Sequence, residues 1–255
     1  MKDKRKILIL TSITFSIFLI FISFYIYKWE FRKQVLEINF FSLNRGRSIF
    51  LRTPNNKTIL VGGGQNTDTI RELTKVMPFY SRTINYIFIP SATPAQIGGL
   101  IEIVDRYKVD EIFLTKNMST STVLKNLKDK IKKNNIHIKE IELNDRIEID
   151  GIFFNVIFPN PDFKFNKTSL PELALDISYN NTSLYLMGNL SKTIQKYISK
   201  SIKVNKENII EFYHSGTDTK VSNDLIEKIK PKYIFNTKEK TTRWISDGLF
   251  FKREI

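Results

Sequence analysis

From Ile7 to Tyr27 the chain runs for 21 residues without a charge, a proline or a glycine. As a helix rising 1.5 Å per residue, such a run covers about 30 Å, the hydrocarbon thickness of a bilayer. It follows the basic stretch Met1-Lys2-Asp3-Lys4-Arg5-Lys6, and Tyr25, Tyr27 and Trp29 stand where interfacial aromatics belong. A cleaved signal segment has an apolar region of about 7–15 residues ending in small residues. Here the run is longer and ends in Phe24-Tyr25-Ile26-Tyr27-Lys28-Trp29, so a retained anchor is expected. Cations flank both sides, Lys28, Arg32 and Lys33 on the far one. The denser N-terminal group favours a cytoplasmic tail at 1–6, a single membrane span at 7–27, a linker at 28–34 and an extracytoplasmic domain at 35–255.

The remaining residues suffice for one domain with a single core. Strand-like runs are expected at 35–41, 48–53 and 58–62, then a helix at 68–77 with Thr67 or Asp68 to cap it. Next come strand 84–89, helix 96–107, strand 110–115 and helix 120–134, capped by Ser119 or Thr120. Strands 136–142, 146–149, 152–158, 173–179 and 182–187 follow, then helix 191–202, strand 208–213, helix 221–230 and strand 232–236. Residues 159–171 and 237–255 read as irregular. Periodicity alone gives a mixed α and β domain.

One strand-to-helix turn carries a specific pattern. Ile84-Asn85-Tyr86-Ile87-Phe88-Ile89 leads into Pro90-Ser91-Ala92-Thr93-Pro94-Ala95-Gln96-Ile97-Gly98-Gly99 and then Leu100-Ile101-Glu102-Ile103-Val104. Earlier, Leu36-Glu37-Ile38-Asn39-Phe40-Phe41 precedes Ser42-Leu43-Asn44-Arg45-Gly46-Arg47-Ser48, and Val61 precedes Gly62-Gly63-Gly64. Later come Met187-Gly188-Asn189 and Tyr213-His214-Ser215-Gly216-Thr217. Over residues 35–236 this frame resembles the metallo-β-lactamase-fold domain of ComEC-type competence (DNA-uptake) proteins. The resemblance implies an αββα sandwich, here preceded by the transmembrane helix. In that family the turn reads Thr-His-x-His-x-Asp-His-x-Gly-Gly and binds metal; here Ser91 and Thr93 replace the first two histidines, Ala95 the aspartate and Gln96 the third histidine. Ser42, Arg47 and Gly62 also stand for family aspartates, and Asn189 for the aspartate that bridges metals. One late histidine, His214, is kept.

Zinc needs about three or four His, Cys or carboxylate ligands at one point. This chain has two histidines and no cysteine, and His137 lies on the polar side of an alternating strand. No metal or other cofactor is therefore expected, and the chain reads as a pseudoenzyme: a membrane-anchored binding or scaffolding module, with DNA or a DNA-uptake protein as partner. The competing reading is a divergent hydrolase or nuclease that is metal-independent or uses an altered metal. It would draw on Ser91 or Ser215 with His214, and nothing in the spacing identifies an orienting acid beyond a guess at Asp218. Formal net charge is +14, and +11 without the first six residues. That charge suits phosphate contact, or it reflects a lysine-rich composition, since 29 of the 40 cations are lysine. The cluster Lys125 to Lys133 fits the solvated face of a helix. Arg45 and Arg47, on the loop that faces the cleft in the resembled family, are the candidate anion or nucleic-acid contacts; alternatively both point to solvent. Backbone N–H groups near Gln96 and the two glycine runs offer a further candidate anion pocket.

Overall fold

The protein is described here by a computed structural model covering residues 11–25, 35–116, 118, 120–161, 172–213, 221–236 and 240–254. Residues 11–25 form helix α1. Its apolar side chains are exposed on every side, Phe15, Phe18, Phe21 and Phe24 among them. Among the described residues no helix is long and apolar enough to cross a membrane; the ends of the expected span, 7–10 and 26–27, lie outside them.

The domain is two sheets face to face. The first has eight strands: β1 (Leu36–Phe40), β2 (Ile49–Arg52), β3 (Thr58–Val61), β4 (Thr83–Phe88), β5 (Lys108–Thr115), β6 (His137–Ile141), β13 (Thr242–Ser246) and β14 (Phe251–Glu254). They lie in the order β14-β13-β1-β2-β3-β4-β5-β6. The second has β7 (Arg146–Ile149), β8 (Ile152–Phe158), β9 (Ala174–Tyr179), β10 (Thr182–Leu186), β11 (Glu207–Phe212) and β12 (Tyr233–Asn236), in the order β12-β11-β10-β9-β8-β7. Alternation directs one face of each strand inward. Ile152, Phe154 and Val156 of β8 are buried while Phe153 and Asn155 between them are only partly so. Between the sheets Phe88 stacks on Phe113 and on Phe154, with centroids 4.6 and 5.1 Å apart.

Helices cover the outer faces. On the first sheet lie α2 (Asp68–Val76), α3 (Pro94–Ile97), α4 (Leu100–Arg106) and α5 (Thr122–Lys133), packing Leu73, Ile97, Leu100, Ile103, Leu127 and Ile131 against it. On the second lie α6 (Lys192–Ser201) and α7 (Asn223–Ile229), which bury Ile194, Ile198, Leu225 and Ile229. The αββα arrangement is thus present.

Three local expectations are corrected. Helix 96–107 is two helices, because the Gly99 N–H leaves the helical ladder to bond the Gly64 carbonyl at 3.0 Å. Helix α5 is capped by Ser121, whose hydroxyl accepts from the Leu124 N–H at 3.1 Å, rather than by Ser119 or Thr120. Residues 242–254, expected to be irregular, form the β13–β14 hairpin. Trp244 and Phe251 enter the core between the sheets, and Arg243 pairs with Glu37 of β1 at 3.2 Å.

Strand direction gives the sandwich two distinct ends. Leu36, Arg52, Thr58, Thr83, Lys108 and Ser246 meet at one end of the first sheet. At the other end lie the loops after Phe40, Val61, Phe88, Leu186 and Phe212, and these build the candidate site.

Candidate functional site

The loop 42–48 folds back against the turn 90–99. Gly46 has φ +92°, and a Cβ there would lie 1.8 Å from the Ala95 carbonyl oxygen. Only glycine lets the two backbones approach this closely. Beyond it the Arg47 side chain turns inward and is fully buried, while Arg45 stays exposed. The structure thus separates the two candidate anion contacts: Arg45 faces solvent, and Arg47 has internal partners.

Arg47 Nε lies 3.1 Å from Glu211 Oε1, with both side chains inaccessible to solvent. Glu211 sits on β11 of the second sheet, so the pair joins the two halves of the sandwich. A second buried acid, Glu172, also lies against Gly188. A Cβ on Gly188, which has φ +57°, would meet Glu172 Oε2 at 2.6 Å and Arg47 Nη1 at 2.7 Å. Glu172 Oε2 accepts the Asn189 N–H at 2.6 Å. Burial pushes the Glu211 carboxyl up to about 7; the Arg47 guanidinium opposes this and the Glu172 charge adds to it. Burial also raises Glu172, against the Asn189 N–H and the Arg47 charge. Tyr213 closes this end: its N–H bonds the Gly188 carbonyl at 2.9 Å, and its phenol, held by the Gly46 backbone, is pushed above the usual range by burial.

The other candidate positions lie in the same loop cluster. Ser91 is buried, with its hydroxyl 3.0 Å from that of Thr93. Ala95 is half-buried. Gln96 is buried, and neither end of its amide finds a partner among the described residues. Asn189 is half-buried. His214, Ser215 and Asp218 lie outside the described residues. His137 is on β6, exposed, with Nδ1 2.7 Å from Glu111 Oε1.

The candidate backbone anion pocket is corrected, because its amides are already bonded. Gly62 N–H goes to the Phe88 carbonyl, Gly63 to Gln96, Gly64 to Arg47, Gly98 to Pro94, and the Gln96 and Ile97 amides both to Thr93.

The donor set does not fit the metal centre that the fold implies. Among the described residues no three His, Cys, Asp or Glu side chains converge as a metal site. Hydroxyls, an amide and a methyl occupy the turn, and the Arg47 guanidinium already lies beside the two acids that face the loop. A divalent ion placed there would meet that cation at short range. Sequence reasoning missed Glu172 and Glu211. The signal for Glu211 was available, a lone acid inside the apolar strand Ile209-Ile210-Glu211-Phe212.

No protein-family model matches this sequence, and no curated protein matches it either. Solved structures do match. The metallo-β-lactamase-fold protein YhfI from Bacillus subtilis superposes with TM-score 0.54 and 8% identity, over 80% of this chain and 86% of that one. A long form of RNase Z from yeast gives TM-score 0.54 and 9% identity over 79% of this chain and 37% of that one. A mutant of the β-hydroxylase CmlA gives 0.51 and 13% over 79% and 45%. At such identities the likeness is one of fold, and the chain has the metallo-β-lactamase fold. This corrects the expectation of a pseudoenzyme. The fold is shared with named enzymes, RNase Z and a β-hydroxylase, and an altered metal motif does not by itself take a chain out of that company.

Proposed function

We propose that this chain is a membrane-tethered, ComEC-like domain that engages nucleic acid by its phosphate backbone without a divalent metal at the site. The observation that carries the reading is the Arg47 guanidinium, buried beside Glu211 and Glu172 at a position where the resembled family has a site aspartate. Any turnover the protein performs then runs without that metal. Support for nucleic acid comes from the exposed cations around the same end: Arg45, Lys116, Lys192 and Lys240. Lys192 and Lys196 also line a cavity of about 480 Å³ with Ser222 and Asp224. Support for the tether comes from α1, whose apolar residues are exposed all round, a pattern that belongs in lipid or a protein core. The positive-inside tendency favours a domain outside the cytoplasm.

The test is fluorescence anisotropy of labelled single- and double-stranded DNA with the full chain in detergent. Affinity in the range of about 1–100 µM, indifferent to sequence and falling steeply with salt, is expected. Arg45→Glu with Lys192→Glu weakens it more than Lys132→Glu with Lys133→Glu at the end of α5. Equal losses mean diffuse charge with no site. Absence of binding at about 50 mM salt removes nucleic acid and leaves a DNA-uptake protein as the partner. Elemental analysis after incubation with zinc or manganese is expected to find below about 0.2 equivalents. Stoichiometric metal together with phosphodiesterase activity overturns the reading.

A further inference from the structure

The end of the sandwich opposite Arg47 has its own character. In the domain six large apolar side chains are exposed among the described residues: Phe79, Tyr80, Tyr197, Val204, Leu249 and Phe250. All but Tyr197 lie at this end. Phe79 and Tyr80, 91% and 76% exposed, form an edge-to-face pair 5.4 Å apart in the turn between α2 and β4. Leu249 and Phe250 occupy the tip of the β13–β14 hairpin, 52% and 59% exposed. That tip is braced: Asp247 Oδ1 accepts the N–H groups of Leu249 and Phe250 at 2.8 and 3.0 Å, and the Gly248 carbonyl accepts the Asn181 N–H at 2.8 Å. The two apolar tips are therefore fixed projections of the fold.

Cations surround them. Lys57, Arg82, Lys108, Lys203, Lys206 and Lys230 are all exposed in the turns and strand starts of this end. Exposed acids there include Asp105, paired with Lys130 at 2.5 Å, and Asp110, Glu148, Glu227 and Asp247, while Glu207 is paired with Lys232 at 3.0 Å. The polypeptide also enters the domain here, at Leu36. Nine residues separate Tyr25, the last described residue of α1, from Val35, ten steps with a reach of at most about 35 Å. Aromatic tips ringed by Lys and Arg next to an apolar helix are the chemistry of a surface that meets anionic lipid headgroups.

We infer that this end of the domain seats on an anionic bilayer, with Phe79, Tyr80, Leu249 and Phe250 entering the headgroup layer and the surrounding cations meeting lipid phosphates. The inference rests on the tether proposed above and extends it from a leash to a fixed orientation. With this end on the lipid, the Arg47 end faces solution, where a macromolecular partner has access to Arg45 and Lys192.

The chain has no cysteine, so single labels are straightforward. Tyr80→Cys, Phe250→Cys and Lys192→Cys, each made in the full chain and carrying an environment-sensitive fluorophore, are reconstituted into vesicles of phosphatidylcholine with or without phosphatidylglycerol. Labels at 80 and 250 are expected to shift to the blue and to be quenched by a lipid-borne quencher, several-fold more with the anionic lipid, while the label at 192 does neither. Labels at 80 and 250 as wet as that at 192, on protein that still floats with the vesicles, overturn the docking and leave the tether standing. Equal signals with and without phosphatidylglycerol overturn the part assigned to the cations. Protein that fails to float overturns tether and docking together.

Discussion

Replacing Arg47 by methionine removes a buried cation from a site that keeps two buried acids. The cost follows from Glu211, whose carboxyl sits at about 7 against an ordinary 4.5 even with the guanidinium beside it. A raised acid contributes stability that is present in full below 4.5 and is lost as pH rises through about 7. For Glu211 that loss is about 3 kcal/mol, at 1.36 kcal/mol per unit. Without Arg47 the opposing attraction disappears and the folded-state value rises further. Breaking a buried pair by deleting one partner typically costs about 3–5 kcal/mol. For a domain of this size that lowers Tm by about 10 °C at pH 8. Near pH 4.5 Glu211 is largely protonated in either protein, and the missing guanidinium has little charge left to balance. The loss from Arg47→Met shrinks there to about 1 kcal/mol or less. Thermal unfolding of both proteins across pH 4.5–8 reads this directly, and Arg47→Met with Glu211→Gln recovers part of the loss at pH 8. A loss of stability that is the same at every pH, or smaller than about 1 kcal/mol at pH 8, refutes the account of Arg47 as the internal counter-ion.

Three further substitutions test other parts of the structure. Gly46→Ala is expected to cost at least about 3 kcal/mol, because the new Cβ lies 1.8 Å from the Ala95 oxygen; Gly151→Ala, at φ +75° with open space around it, costs about 1 kcal/mol, and a equal loss from both in denaturant titration removes the argument from close packing. Burial raises Asp176 to about 6, against hydrogen bonds from Ser183 and Asn155, and its Oδ1 accepts no hydrogen bond among the described residues. Its stability contribution is full below 3.8 and is lost as pH rises through about 6, so Asp176→Asn is expected to stabilise by about 1–2 kcal/mol at pH 7.5 and not at pH 3.5; a destabilised variant at pH 7.5 counts against it.

The fold was legible in the sequence wherever an element carried its own period. The β8 stretch alternates in and out as its letters do, and α5 follows its apolar positions Leu124, Leu127 and Ile131. The β13–β14 hairpin was not legible, although Thr242-Arg243-Trp244-Ile245-Ser246 alternates too. Its strands are four and five residues long and become stable only through β1, with which Leu36 to Phe40 pair. The break after α3 was hidden for a related reason, since it depends on the Gly64 carbonyl contributed by a distant loop. At the site, sequence located the loops but could not tell Arg45 from Arg47. Both stand in one polar stretch, and the burial of the second is set by acids on a loop and a strand of the other sheet.

The glycine turns hold this end of the fold together. The bonds that shape this end run from backbone to backbone: Gly63 N–H to Gln96, Gly64 to Arg47, Gly99 to Gly64 and Tyr213 to Gly188. None of them uses a side chain that a metal would need, so changes at positions 91, 93, 95 and 96 leave the scaffold standing. What this end does need is charge balance, because buried carboxylates without a partner charge do not stay ionised. Arg47 answers that need from within the chain, on a loop of the first sheet, paired with an acid on a strand of the second. Being a fixed monovalent cation, it can link the two sheets at this point, but it cannot hold a water in an open coordination position as a catalytic metal does. At the same end the buried Ser91 shares a hydrogen bond with Thr93 at 3.0 Å and Arg45 meets solvent.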